Sequence, residues 1–169
     1  MSTIWKLDPT HSEITFKVKH MMISNIKGEF RKFDAEIQSE DDTFLNAKVT
    51  ATVAVDSIDT NNSDRDQHLK SADFFDVENY PSISFTSKSL NNLVDGTISI
   101  HGISQPIQLE VEFGGINQDP WGNTRAGFSF SGKINRKDFN LNWNAALETG
   151  GVLVGEVVTI AGELQFIKS

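Results

Sequence analysis

Four histidines, His11, His20, His68 and His101, are the residues of this 169-residue chain whose type best suits metal or acid–base chemistry. Their spacing does not gather them. No two stand at the i, i+4 separation that puts a zinc pair on one helix face, and there is no cysteine to complete a ligand set. The pattern predicts no metal site and histidines that act as ordinary hydrogen-bonding groups. A Ser–His–Asp centre fares no better. His11 and Ser12 are neighbours, which on a strand sends their side chains to opposite faces, and no Gly-x-Ser-x-Gly elbow occurs. Gly114-Gly115 and Gly150-Gly151 read as turn glycines, not as phosphate loops. What remains is the cluster Asp64, Arg65, Asp66, His68 and Lys70. Arg65 and His68, with His20, are candidates for a polar end that meets a ligand head group. The competing reading is a self-satisfied network: Arg65 paired to a carboxylate, Asp66 helping to cap, the whole pinning a helix in place.

The stretch that must position this cluster runs from Ser57 to Phe85 and interrupts a chain of short alternating segments. Ser63 followed by Asp66 resembles a capping box, acidic residues open the segment and Lys70 closes it, so a short helix is predicted over about residues 63–73. Phe74 and Phe75 follow as anchors. Pro81 blocks further helix, and Ser82–Thr86 alternates like a strand with Ile83 and Phe85 on one face.

Elsewhere the period is two. Ile14, Phe16, Val18 and His20 share one face of a first strand; Phe33, Ala35 and Ile37 share one face of the next, with Phe30 out of step; Val49, Ala51, Val53 and Val55 follow. After the central interruption come Ile98/Ile100, Ile107/Leu109/Val111, Phe128/Phe130/Gly132 and Val158/Ile160/Leu164/Phe166. Met21-Met22-Ile23 breaks the alternation and reads as a turn of helix. About eight strands result. Continuous apolar runs of the parallel type are absent, so the sheet is expected to be antiparallel, and closing into a barrel disposes of its edges most simply. A two-sheet sandwich is the alternative. At eight strands a barrel interior is either just filled or holds one small ligand, and periodicity does not choose between them.

Composition narrows the functions. One domain is expected at this length. The net charge of −8, with no long basic cluster, argues against nucleic acid and anionic membrane surfaces as main partners. No apolar stretch approaches the roughly 18 residues that span a bilayer. The N-terminus lacks a basic region followed by an apolar run, so the expected location is cytoplasmic, or periplasmic if a leader was removed. The aromatic set is 12 Phe against 1 Tyr and 3 Trp, and rings without polar handles suit either a wide apolar interior or a solid core.

Asp64-Arg65-Asp66-Gln67-His68-Leu69-Lys70-Ser71-Ala72-Asp73-Phe74-Phe75-Asp76, with Tyr80-Pro81 after it, resembles the signature of the YceI-like family. The likeness recurs at Trp5-x-Leu7-Asp8-x-x-His11-Ser12-x-Ile14-x-Phe16, at Ser99-Ile100-His101-Gly102, at Arg136-Lys137-Asp138-Phe139-x-Leu141 and at Gly155-Glu156-x-Val158-x-Ile160. Asn140 departs from it, since members often carry glycine there. The resemblance implies an all-β, antiparallel, extended lipocalin-like barrel of about eight strands with one short helix, enclosing a polyisoprenoid, an isoprenoid quinone or a fatty-acid derivative. It also implies homodimers and no catalysis. On parity, the residues expected to line the cavity are Phe16, Val18, Phe33, Ile37, Val49, Val53, Phe85, Ile100, Leu109, Val111, Phe128 and Phe130. Ala35, Ala51 and Gly132 are expected to leave room where bulk would close the bore. No cofactor beyond the bound lipid is expected. The alternatives are an enzyme acting on a lipid or quinone inside the barrel, and a filled barrel serving as a stress-response or interaction module.

Overall fold

A computed structural model describes residues 2–145 and 153–169. Its strands are β1 (Thr3–Leu7), β2 (Glu13–His20), β3 (Ser24–Phe30), β4 (Phe33–Ser39), β5 (Lys48–Ala54), β6 (Ile58–Asp59), β7 (Ser82–Ser87), β8 (Leu93–Ile100), β9 (Ile103–Gln118), β10 (Thr124–Asn135) and β11 (Val154–Lys168). The one α-helix among the described residues, α1, spans Ser63–Lys70 between β6 and β7.

All pairings are antiparallel, and the order β1-β4-β5-β7-β8-β9-β10-β11 returns on itself because β1 also pairs with β11. Trp5 is the hinge of that closure, lying opposite Ile37 on one side and Lys168 on the other. The two-sheet sandwich is therefore not the architecture; the wall is a closed barrel of eight strands. Its remaining strands extend one end. The first half of β11 gives its free edge to β2, and β3 and β6 continue from there. Closure gives every strand of the eight-stranded wall two neighbours, which is how a sheet of this size avoids pairing with other chains. An edge remains in the part of β3 before Glu29.

Several local expectations need correcting. α1 ends at Lys70, short of residue 73, because Ser71 adopts an extended ψ of 172° and its hydroxyl donates to the His68 carbonyl at 2.6 Å. The cap is Asn62, whose side chain accepts from the Arg65 N–H at 3.0 Å, instead of Ser63. Asp66 turns away from that cap and accepts from the backbone N–H and hydroxyl of Thr60 at 2.9 and 2.5 Å. Met21-Met22-Ile23 is the reverse turn between β2 and β3, not a helical turn. Phe30 is out of step because it ends β3, and Phe33 begins a separate strand. Gly114 is not in a turn. Gly127 faces Gly115 and Phe128 faces Phe113, which leaves Gly114 as the extra residue of a bulge within β9. Gly150-Gly151 lies outside the described residues.

Far from α1, Arg125 ties three elements together. It donates to Asp8 at 2.6 Å, to Asp119 at 2.8 Å and to the Gln165 side chain at 2.8 Å. Asp8 is held far below the ordinary carboxylate range, first by the Thr10 hydroxyl and then by Arg125. Asp119 is lowered from 3.8 to about 2, chiefly by Arg125. A carboxylate depressed in the folded state stabilises above its unfolded pKa and loses that contribution as pH falls toward its folded pKa. The thermal midpoint should therefore drop as pH is lowered from about 4 to about 2. In Asp119→Asn that drop should be shallower. Parallel melting curves for the two proteins across this window check it.

Candidate functional site

The inward faces do not meet in the middle. They enclose a cavity of about 230 Å³ whose lining is almost wholly apolar, several times the roughly 30 Å³ that one water takes in the liquid. The parity residues are all on its wall: Phe16 and Val18 of β2; Phe33, Ala35 and Ile37 of β4; Val49, Ala51 and Val53 of β5; Phe85 and Ile100 of β7 and β8; Leu109 and Val111 of β9; Phe128 and Phe130 of β10. The helix segment contributes Leu69, Phe74 and Phe75.

The two ends differ. One is sealed by aromatic rings in mutual contact: Phe44 lies 5.4 Å from Trp5, 5.4 Å from Phe113 and 5.2 Å from Phe128. Trp5 and Phe44 are 0 and 1 % exposed. At the other end the half-buried Val18, Leu69 and Val154, beside the β2–β3 turn and the start of β11, share the lining with Phe30, Phe74 and Phe75, the Phe30 and Phe75 rings lying 6.3 Å apart.

Phenylalanine lines a bore without blocking it because glycines on neighbouring strands receive the rings. Gly28 is paired to Phe16, and a Cβ there would stand 2.4 Å from Phe16 Cζ. Gly162 is paired to Phe130, and a Cβ would stand 2.3 Å from its Cε1. Gly96 holds the Phe85 ring in the same way, at 2.5 Å. In each case the ring lies over bare backbone of the adjacent strand and stays close to the wall.

Gly132 does something else. It is not on the cavity lining, because Leu109 Cδ2 fills the space over it, 2.6 Å from where a Cβ would be. The predicted polar end is corrected as well. Arg65 does not reach the cavity: its Nε donates to the Thr60 hydroxyl at 2.8 Å and its Nη2 to the Thr60 carbonyl at 2.6 Å, so it pins α1 to β6, with Thr60 in place of the expected carboxylate. His68 contacts Asp73 at 2.9 Å and packs edge-on against Phe74 and Trp143. His20 ends β2 opposite Ser24 and Val154 and does not line the cavity either. The other histidines have separate partners, His11 on Asp8 and His101 on the Phe139 carbonyl. Among the described residues no three His, Asp or Glu side chains converge as metal ligands would.

The charged group that does line the cavity is Arg136, 3 % exposed. Its guanidinium donates to four carbonyls: Gly155 at 2.8 Å, Leu141 at 2.6 Å, Trp143 at 2.9 Å and Val154 at 3.1 Å. These fasten the start of β11 to the segment after β10. Burial pushes its pKa below the usual arginine range, and the nearby Glu156 carboxylate opposes that push. Glu156 itself pairs with Lys137 at 2.7 Å, so no carboxylate among the described residues neutralises Arg136 by contact. The sequence signal for it was the Arg-Lys-Asp-Phe block, which parity cannot interpret.

The YceI-like domain family model matches residues 5–166. A UPF0312 protein of Staphylococcus epidermidis is 41% identical over 166 residues, 97% of each chain, and one of Staphylococcus aureus is 39% identical over the same span. Among solved structures, the Campylobacter jejuni YCEI protein is 35% identical with a TM-score of 0.66, covering 83% of this chain and 87% of its own. Burkholderia cenocepacia BcnA shares the fold at a TM-score of 0.78 and 23% identity, covering 94% and 98%. A polyisoprenoid-binding domain from Saccharophagus degradans shares it at 0.73 and 16%, covering 98% of each.

The ring-on-glycine arrangement is testable at Gly162. Gly162→Ala should force the Phe130 ring off the wall, destabilising the fold by about 1–3 kcal/mol as overpacking does. Adding Phe130→Leu should recover the part of the loss that comes from the ring, the remainder coming from the Glu13 carbonyl, 2.8 Å from the new Cβ. A double-mutant cycle of denaturation free energies reads that coupling directly.

Proposed function

The chain belongs to the YceI-like family, and we propose that it binds a long-chain amphiphilic lipid in the barrel cavity, sequestering or carrying it without catalysis. The ligand class is a polyisoprenoid, an isoprenoid quinone or a fatty-acid derivative. The observation that carries this reading is a closed wall whose lining is apolar throughout apart from the buried Arg136 guanidinium and the small hydroxyls of Ser84 and Ser87. Each methylene taken from water into such a lining contributes about 0.8 kcal/mol, so a tail of modest length gives useful affinity without specific polar contacts. The shared fold of the Saccharophagus degradans polyisoprenoid-binding domain supports the ligand class.

Organic extraction of freshly purified protein followed by mass spectrometry should release a long-chain amphiphile, and reloading the stripped protein should raise its thermal midpoint. Ala51 lines the bore opposite Ala35 and Phe85. Ala51→Trp should fill the bore and abolish binding of a fluorescent long-chain probe while the far-UV circular dichroism stays that of the parent. Undiminished probe binding by the folded Ala51→Trp protein would refute the cavity as the binding site.

A further inference from the structure

The turn joining β2 to β3 carries Met21, Met22 and Ile23 at 43, 61 and 79 % exposure. Met21 and Met22 hold φ of 52° and 62°, the left-handed region that side-chain-bearing residues adopt at a cost. The fold thus spends backbone strain on presenting three large apolar side chains to solvent. They stand beside the less tightly sealed end of the cavity, since the Met21 N–H donates to the Leu153 carbonyl and His20 pairs with Val154.

Behind this tip the outer face of the wall is basic. The register runs Lys133, Thr159, Lys17, Lys27 in one row across β10, β11, β2 and β3, and Lys19 lies nearer the tip. These lysines are exposed, and among the described residues none is in an ion pair. Lys17 and Lys27 are directly opposite, an arrangement that destabilises a sheet. Of the carboxylates on the same strands, Glu13, Glu163 and Glu29 lie on the other side of that row, with Glu13 opposite Glu163 and Glu29 opposite Thr15, while Glu156, on the tip side, is paired to Lys137 at 2.7 Å. In a chain of net charge −8 this separation leaves one locally cationic region.

We propose that this tip and its lysine belt dock the protein on the surface of an anionic lipid bilayer, with the adjoining end of the cavity turned toward the membrane. The purpose of docking rests on the lipid-binding reading; its geometry does not. Met21, Met22 and Ile23 enter the boundary between headgroups and acyl chains, a depth of roughly 5–10 Å for interfacial elements. At roughly 3.3 Å per residue, Lys19 lies about 7 Å and Lys17 about 13 Å along the strand from Met21, so their flexible stems bring ammonium groups to the phosphate level or within a Debye length of it. A second copy of the chain fits less well, because a two-fold contact through the same patch sets the lysine rows against each other. The overall negative charge does not oppose docking, since exposed charges beyond about 8–10 Å are screened at physiological salt.

Co-sedimentation with vesicles containing phosphatidylglycerol should capture the protein at physiological salt, and pure phosphatidylcholine vesicles should not. Lys17→Gln, Lys19→Gln and Lys27→Gln should each weaken capture by roughly fivefold, as should raised salt. Met22→Ser with Ile23→Ser should also weaken it while the melting curve and fluorescent long-chain probe binding stay those of the parent. Because the chain has no cysteine, an environment-sensitive dye on Ile23→Cys reports the tip alone. It should shift to the blue with phosphatidylglycerol vesicles, whereas the same dye on Trp121→Cys, in the β9–β10 turn, should not. Equal capture of parent and lysine variants, or no dye shift at Ile23→Cys, overturns the proposal. So does loss of a dimer in the tip variants without vesicle binding. If docking fails while the probe still binds, the cavity reading stands alone. If docking holds and no probe or extracted lipid is found, it is the cavity reading that fails.

Discussion

Everything in this molecule depends on keeping an apolar interior from collapsing. Protein interiors pack as densely as organic crystals, and a void forfeits the dispersion contacts its lining atoms would have made. At about 24 cal/mol per Å³, 230 Å³ that the protein's own side chains do not fill costs on the order of 5 kcal/mol whenever no ligand occupies it, comparable with the whole stability of many domains. The wall must be stiff enough to bear that cost. Three features supply the stiffness: hydrogen-bonded closure through β1, the aromatic seal around Phe44, and the glycines that hold the Phe16, Phe85 and Phe130 rings close to their own strands.

The same constraint explains how much could be read in advance. A period-two strand has only two faces, and a closed barrel gives one of them to the interior, so parity alone places Phe16, Val53 or Leu109 on the wall. Whether those side chains touch across the axis is a question of where rings turn. That depends on which glycine lies on the neighbouring strand, which is a matter of register. Gly28 opposite Phe16 and Gly162 opposite Phe130 stand far apart in sequence and become partners only when β2, β3, β10 and β11 are aligned. Gly132 shows the converse. Its parity is right, yet Leu109 on β9 reaches across and fills the space.

Polar residues were legible by type and not by destination. The helix cluster looked like a candidate head-group site because Arg65 and His68 are close in sequence, but both are absorbed locally, by Thr60 and Asp73. The buried cation is Arg136, outside the helix, whose four carbonyl partners all follow it in the chain, two soon after it and two once β11 folds back. Capping shifted by one residue for a related reason: Asp66, which a capping box would have used, finds stronger acceptor duty at Thr60. Asn140 is the instructive exception. It stands where the resemblance led to an expectation of glycine and adopts φ 59°, ψ 28°, a left-handed cap that asparagine tolerates better than most residues, so the turn forms with asparagine.

Stability and access are divided between the ends of the barrel. The Arg125 network and the aromatic seal lie at one end, where Asp8, Asp119 and Gln165 converge. At the other end the barrel is completed by shorter pieces: the two-residue β6, a helix with no fully buried residue, and a β2–β3 turn whose methionines face water. Local opening is drawn from the parts of a fold with the fewest buried contacts. On the proposed lipid-binding role, ligand exchange needs one end that yields at low cost and another that does not, since opening both would forfeit the closure that holds the interior apart. Asp8 and Asp119 are tied to a half-buried Arg125 at the sealed end, whereas the Arg31–Asp59 and Lys137–Glu156 pairs at the other end are more exposed, so that end can loosen at lower cost.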